Sequence, residues 1–127
     1  MTSVLIVEDE DDIRMLARIV LERAGFEVHD VASGEAALHA LSPAGSAAGV
    51  TVVILDLRMG ELDGFDVLAG LRDVGALAQL AVIVVSAYAE PELVEHAKEV
   101  GAWGYLNKPY NPMAMVELVR EAAGLAS

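Results

Sequence analysis

The chain has 127 residues and a formal net charge of −12, from 20 acidic against 8 basic side chains. Its length predicts one domain over residues 1–127, and its acidity excludes a nucleic-acid-binding domain with a basic face and affinity for anionic membranes. The absence of cysteine excludes disulfides and thiolate metal sites. No apolar run approaches the ~18 residues of a membrane span, and the first residues lack the positive start of a signal peptide. We therefore expect a cytoplasmic location.

Short apolar runs alternate with amphipathic segments along the chain. The predicted strands are Val4–Val7, Val28–Val31, Val52–Leu55, Ala81–Val85 and Trp103–Leu106. The predicted helices are Asp11–Ala24, Ser33–Leu41, Gly64–Leu71, Glu90–Val100 and Asn111–Ala123, and Ser42–Gly49 is a turn-rich loop of variable conformation. Continuous Val, Ile and Leu runs are typical of strands buried on both faces. The alternation predicts an α/β domain with a parallel sheet.

Polar side chains follow four of the predicted strands. Glu8 and Asp9 follow the first strand, Asp56 the third, Ser86 the fourth and Lys108 the fifth. Ligands of doubly wound sheets bind at the carboxyl ends of the strands, so we expect these residues at one edge. Two carboxylates ~4 Å apart repel by about 4 kcal/mol at an effective dielectric of 20. A Mg²⁺ ion with oxygen ligands would offset this repulsion, and Lys108 would add a second positive charge.

This set of residues suits phosphoryl transfer, because an aspartate beside Mg²⁺ can attack a phosphoryl donor and form an acyl phosphate. The acid run that begins at Glu8 has an alternative interpretation as a solvated helix N-terminus. The chain contains no phosphate-binding glycine motif and no evident catalytic triad. His29, His39 and His96 lack the spacing of metal ligands and are expected at the surface.

Four stretches, VLIVEDE, VVILDLRMGELDG, AVIVVSA and GAWGYLNKP, resemble the receiver domain of bacterial two-component response regulators. The resemblance covers essentially the whole chain. It implies a flavodoxin-like, three-layer, doubly wound (βα)5 fold whose five-stranded parallel sheet has the order 2-1-3-4-5.

The resemblance also implies a phosphoacceptor and a metal site. Asp56 would accept a phosphoryl group from the phosphohistidine of a histidine kinase or phosphotransfer protein. Asp9 would bind Mg²⁺ directly, Glu8 through water, and Arg58 through its backbone carbonyl, with Mn²⁺ as an alternative ion. The domain would be a phosphoacceptor with only self-phosphorylation and self-dephosphorylation, not an enzyme acting on other molecules.

Further residues match the family's switching apparatus. Ser86 would be the switch hydroxyl, Tyr105 the switch aromatic and Lys108 the lysine that pairs with the phosphoryl group. A cis peptide bond is expected before Pro109. Phosphorylation would change the surface of the fourth helix, fifth strand and fifth helix for an unknown downstream effector.

Three residues depart from the family pattern: Gly60 where proline is usual, Arg58 where neutral side chains are common, and the large Tyr88. We hypothesise that Arg58 and Tyr88 obstruct the attacking water and prolong the phosphorylated state. Phe65 is expected in the core, and Trp103 is expected on the surface or facing a partner.

Two other functions stay open at this point. A Mg²⁺-dependent phosphatase of the haloacid-dehalogenase type also uses a strand-end aspartate, but that family requires D-x-D, and Arg58 stands two residues after Asp56. A receiver-like module that binds partners without phosphorylation would have been favoured by loss of Asp56, Asp9 or Lys108. The chain either acts alone or belongs to a longer protein.

Overall fold

The computed structural model of the protein describes residues 2–58, 64–86 and 91–126, the side chains of 125 and 126 excepted. In these residues strands and helices alternate. The strands are β1 Ser3–Val7, β2 Glu27–Val31, β3 Val52–Asp56, β4 Ala81–Ser86 and β5 Gly104–Asn107. The helices are α1 Asp11–Arg23, α2 Gly34–Ala40, α3 Gly64–Asp73, α4 Pro91–Val100 and α5 Pro112–Ala126, with a single 3₁₀ turn at Ala76–Ala78.

The strands form one parallel sheet in the order β2-β1-β3-β4-β5, which confirms the predicted order. Val4 of β1 pairs with Val28 on one side and with Val52 on the other. After β1, the chain therefore forms β2 on one side of β1 and then crosses over to form β3 on the other side. This reversal opens a crevice at the carboxyl ends of β1 and β3, where doubly wound sheets bind ligands.

The core consists of two apolar layers, one on each face of the sheet. Along β3, Val53 and Leu55 point to the layer that contains α2, α3 and α4, whereas Val52 and Ile54 point to the layer of α1 and α5. The same alternation holds along β1 and β4. Since each central strand is buried on both faces, its apolar run is continuous in sequence.

The predicted elements all lie within about two or three residues of their observed bounds, a common uncertainty at element ends. Phe65 is half-buried against the layer of α2, α3 and α4, as expected. Trp103, predicted on the surface or facing a partner, is neither fully exposed nor fully buried. Trp103 precedes β5 and lies half-buried against the layer of α1 and α5.

The turn-rich loop predicted after α2 is present, and it packs against the core. Ala47 is 1% exposed and belongs to the core, and its N–H donates to the Ala40 carbonyl at 2.9 Å. Gly45 lies so close to the end of α2 that a Cβ there would stand 2.3 Å from the Ala40 oxygen. Small residues fill this segment because it packs directly on the helix end.

The start of α3 is fixed to the end of β3 by an equally close approach. The N–H of Gly64 donates to the Leu57 carbonyl at 3.1 Å. A Cβ on Gly64 would lie 2.4 Å from the backbone oxygen of Asp56, so only glycine fits here without a shift of the chain. Gly60 and Tyr88 lie outside the described residues. Within the described ranges, every helix is too short or too polar to cross a bilayer.

Candidate functional site

Asp56 is the last residue of β3, in the middle of the sheet, and is only 5% exposed. The backbone N–H of Arg58 donates to its Oδ1 at 3.0 Å, and Lys108 Nζ donates to its Oδ2 at 2.9 Å. A carboxylate buried this deeply would be unstable as an anion without such donors. Both carboxylate oxygens are thus held in place at the carboxyl edge of the sheet.

Glu8 directly follows β1 and is 4% exposed. Its Oε1 accepts a hydrogen bond from Lys108 Nζ at 2.7 Å, and its Oε2 accepts one from the N–H of Glu10 at 3.2 Å. Its own N–H donates to the Val31 carbonyl at 3.1 Å, which continues the pairing of β1 with β2 beyond the strand. Lys108 therefore bridges two carboxylates, those of Glu8 and Asp56, from neighbouring strands.

Asp9 completes an acidic cluster with Glu8 and Asp56. One carboxylate oxygen from each of the three lies within 4.8 Å of the others, and Asp9 is the exposed member. Opposite oxygens around octahedral Mg²⁺ stand about 4 Å apart, so a small adjustment would bring these oxygens around one ion. Hard oxygen donors on a partly open site fit Mg²⁺ and also Mn²⁺. The predicted convergence of the three acids is confirmed.

Burial and crowding set the charge states. The pKa of Glu8 is raised from 4.5 to about 7, chiefly by removal from water and also by the nearby Asp56, against the opposing hydrogen bond from Lys108. Burial acts to lower the pKa of Lys108, but its hydrogen bonds to Glu8 and Asp56 outweigh this effect and raise the pKa. Lys108 is thus firmly cationic, and a proton competes with any cation for Glu8 near neutral pH.

Ser86 ends β4 next to Lys108, and Tyr105 lies on the neighbouring strand β5. Ser86 is 1% exposed, and its carbonyl accepts the backbone N–H of Lys108 at 2.7 Å. Tyr105 is half-buried on β5, and its hydroxyl donates to Asn107 Oδ1 at 3.2 Å. Burial raises the pKa of the Tyr105 hydroxyl. The structure therefore brings Ser86 into contact with Lys108, and it places Tyr105 against Asn107.

The remaining predictions have mixed outcomes. The peptide bond between Lys108 and Pro109 is cis, as expected. Arg58 is exposed and contacts Asp56 through its N–H, and Tyr88 lies outside the described residues. His39 and His96 are exposed as predicted. His29 is half-buried, with its Nε2 3.2 Å from Glu27 Oε1.

Two residues near the cluster were missed by sequence reasoning. Arg14 on α1 bonds the backbone carbonyl of Glu8, and its only sequence signal is its position three residues after Asp11 on the same helix face. Tyr110 lines a small cavity shared with Glu8 and Asp56, and burial raises the pKa of its hydroxyl. An aromatic residue directly after Lys108-Pro109 was the available signal for Tyr110.

Comparisons with known proteins agree with this geometry. Residues 4–120 match the family model described as the response regulator receiver domain. The chain is 34% identical over 124 residues to the regulatory protein AtoC of Escherichia coli (strain K12), covering 98% of this chain and 26% of AtoC. It is 34% identical over 118 residues to the transcriptional regulatory protein SrrA of Staphylococcus aureus (strain NCTC 8325 / PS 47), covering 93% of this chain and 46% of SrrA. The chain thus spans about a quarter and just under half of these two relatives.

Solved structures show the same fold. Chemotaxis protein CheY4 of Vibrio cholerae superposes with a TM-score of 0.87 at 30% identity, over 96% of this chain and 98% of that one. The receiver domain of the Francisella response regulator 1452 has a TM-score of 0.90 at 23% identity over the whole of both chains. The match to the family model, the shared flavodoxin-like topology and the acidic cluster at the carboxyl edge agree, and the chain belongs to the receiver domain family of two-component response regulators.

Proposed function

We propose that Asp56 accepts a phosphoryl group from the phosphohistidine of a histidine kinase or phosphotransfer protein, with Mg²⁺ bound beside it. The observation that carries the proposal is Lys108 Nζ, which lies 2.9 Å from Asp56 and 2.7 Å from Glu8 in a cluster of three carboxylates. Three clustered carboxylates beside one partly buried lysine leave an excess of negative charge that a bound cation would offset. That cation and Lys108 would also neutralise charge on a phosphoryl group at Asp56.

The transfer itself needs little from the protein beyond position. A carboxylate oxygen of Asp56 forms a bond to phosphorus while the bond between phosphorus and the donor's imidazole nitrogen breaks, and the nitrogen keeps that electron pair. Lys108 then pairs with an oxygen of the transferred group, and a bound Mg²⁺ would neutralise charge on the others. The domain would also phosphorylate itself from small donors and lose the group by attack of water, without acting on other substrates.

The proposed ion would be held by Asp9 directly, Glu8 through water, Asp56, and the backbone carbonyl of Arg58. The closeness of the three carboxylates supports this set. Mn²⁺ has similar ligand preferences and would be accepted in the same place.

Switching would begin at Ser86 and Tyr105. We propose that the Ser86 hydroxyl turns toward the new phosphoryl group and that Tyr105 changes rotamer, so that the surface of α4, β5 and α5 binds a different partner. The hydrogen bond between the Ser86 carbonyl and the Lys108 N–H supports a direct connection between the two loops. The effector is a separate domain or protein, and this domain makes no contact with nucleic acid or membrane in the proposal.

Arg58 and Tyr88 are proposed to lengthen the life of the phosphorylated form by obstructing water. The exposed position of Arg58, two residues after Asp56, leaves its side chain free to cover the site. If the decay of phosphorylated Tyr88→Ala is slower than that of the parent protein, this part of the proposal is wrong.

The central test is the intact mass of the protein after incubation with Mg²⁺ and acetyl phosphate. We expect a single phosphoryl adduct on the wild type and on Asp12→Asn, and none on Asp56→Asn. Asp12 is the matched control, because it is an exposed acid close in sequence to the cluster but not among its three members. An adduct on Asp56→Asn, or none on the wild type, contradicts the proposal and favours a module that works without phosphorylation.

A further inference from the structure

Arg14 connects three parts of the molecule around the loop that carries Glu8 and Asp9. Its Nη1 donates to the backbone carbonyl of Glu8 at 2.9 Å, and its Nη2 donates to Asp11 Oδ1 at 2.6 Å. Its Nε lies 3.7 Å from Asp30 Oδ2 on β2. The side chain is 19% exposed, and its bond to the Glu8 carbonyl lies partly out of water. One guanidinium therefore contacts the loop after β1, the first turn of α1 and the end of β2.

The contact with the Glu8 carbonyl fixes the orientation of the peptide unit that joins Glu8 to Asp9. The peptide unit is planar, so a fixed Glu8 carbonyl also fixes the N–H and the Cα direction of Asp9. The Glu8 N–H is already bound to the Val31 carbonyl, and the Glu8 side chain is bound by Lys108. Arg14 thus completes the anchoring of Glu8 on its backbone side, and it does so without touching a carboxylate of the cluster.

We propose that Arg14 is a positioning residue for the cation site: it holds the loop of Glu8 and Asp9 so that their carboxylates face Asp56 before the ion binds. This inference rests on the proposed function of the acidic cluster. Residues that orient metal ligands typically change metal affinity by 10–100-fold when removed. Arg14 would act through the backbone of one ligand residue rather than through its side chain.

A positive charge near a cation site also has an opposite effect, because it repels the ion. Removal of the Arg14 charge would by this effect alone tighten Mg²⁺ binding, whereas release of the loop would weaken it. The two effects have opposite signs, so the direction of the change decides between them.

Arg18 provides a matched control one turn further along α1. Its Nη1 lies 3.2 Å from Asp30 Oδ1 and its Nε 3.3 Å from Glu22 Oε1. It thus shares Asp30 with Arg14 and carries the same charge, but among the described residues it contacts Glu22 and Asp30 rather than the Glu8 carbonyl. Arg18→Gln removes one charge from the same face of the helix and leaves the loop anchored.

The experiment is calorimetric titration of MgCl₂ into the wild type, Arg14→Gln, Arg14→Lys and Arg18→Gln at pH 8, with circular dichroism and thermal unfolding of each. We expect Arg14→Gln to bind Mg²⁺ about 10-fold more weakly than the wild type. Arg18→Gln should bind as tightly as the wild type or slightly more tightly. Arg14→Lys should also bind more weakly, since one ammonium cannot replace the planar fork of a guanidinium.

A merely structural role would lower the unfolding temperature of Arg14→Gln and leave the Mg²⁺ dissociation constant of the folded protein unchanged. That result overturns the inference, as does tighter binding. If Arg14→Gln fails to fold, Arg14→Lys decides, and wild-type affinity in that variant is then the contrary result. Absence of Mg²⁺ binding by the wild type would instead overturn the proposed metal site itself.

Discussion

Charged side chains at the carboxyl edge of the sheet are much more deeply buried than those on the surface of α4. At the edge, Glu8 and Asp56 are 4% and 5% exposed and share one lysine. On α4, the side chains of Lys98 and Glu95 are 59% and 69% exposed, and Lys98 Nζ lies 3.9 Å from Glu95 Oε1. Exposed pairs contribute little to stability, whereas a buried charge is tolerated only while its partners stay in place. At the edge, the charged side chains that the proposed chemistry uses therefore also affect the stability of the fold. The exposed charged pair on α4 contributes little to either.

The backbone shows the same contrast within a single helix. Gly64, at the start of α3, touches the backbone of Asp56, while Gly70, in the middle of the same helix, faces only the end of the Leu38 side chain. The chain is tightly packed next to Asp56 and has ordinary van der Waals spacing about two turns further along α3. The same substitution at Gly64 and Gly70 should therefore change the free energy of unfolding by different amounts and in opposite directions.

The largest expected effect is that of Lys108→Met. Removal of one partner from a buried ion pair typically costs about 3–5 kcal/mol, because the remaining charges stay buried without compensation. We expect a loss of about 3 kcal/mol in the free energy of unfolding at pH 8 without divalent ions, measured by urea denaturation. Millimolar Mg²⁺ should then restore more stability in this variant than in the wild type, since the ion replaces the missing positive charge.

Lys98→Met is the control for this comparison, because it removes the same group from an exposed pair. Its free energy of unfolding should stay within about 0.5 kcal/mol of the wild type, with no added response to Mg²⁺. Equal losses in the two lysine variants would show that burial at the edge does not govern the strength of these contacts.

Much of the fold could be predicted from local sequence features. The runs at Val4–Val7, Val52–Leu55 and Ala81–Val85 predict central strands because they contain no polar residue, and the structure buries every residue of them. The residues after these strands then converge for a topological reason, since parallel strands end at one edge. The joint location of Glu8, Asp9, Asp56 and Lys108 could be predicted in this way without any knowledge of distances.

Other features depend on packing between distant segments and escaped prediction. Ala47 looks like a loop residue, but its burial follows from a fit against the end of α2 that no local pattern encodes. Trp103 was assigned by strand alternation, although the strand begins only at Gly104. Arg14 reads as an ordinary surface arginine until the Glu8 carbonyl is located beside it.

A smaller effect is expected from glycine-to-alanine substitutions on α3, which should change the free energy of unfolding in opposite directions at Gly64 and Gly70. In Gly64→Ala the new methyl group would stand 2.4 Å from the Asp56 carbonyl oxygen, so the start of the helix or the end of β3 must move. Overpacking of this kind typically costs 1–3 kcal/mol, and we expect a loss of about 2 kcal/mol together with slower labelling of Asp56 by acetyl phosphate. In Gly70→Ala the nearest atom is a Leu38 methyl at 3.4 Å, and alanine is the better helix former by about 0.8–1.0 kcal/mol. That variant should be as stable as the wild type or more stable, with an unchanged rate of labelling. Urea unfolding and the time course of the phosphoryl adduct measure both variants, and a loss of labelling rate in Gly70→Ala equal to that in Gly64→Ala would contradict the view that close packing is confined to the edge.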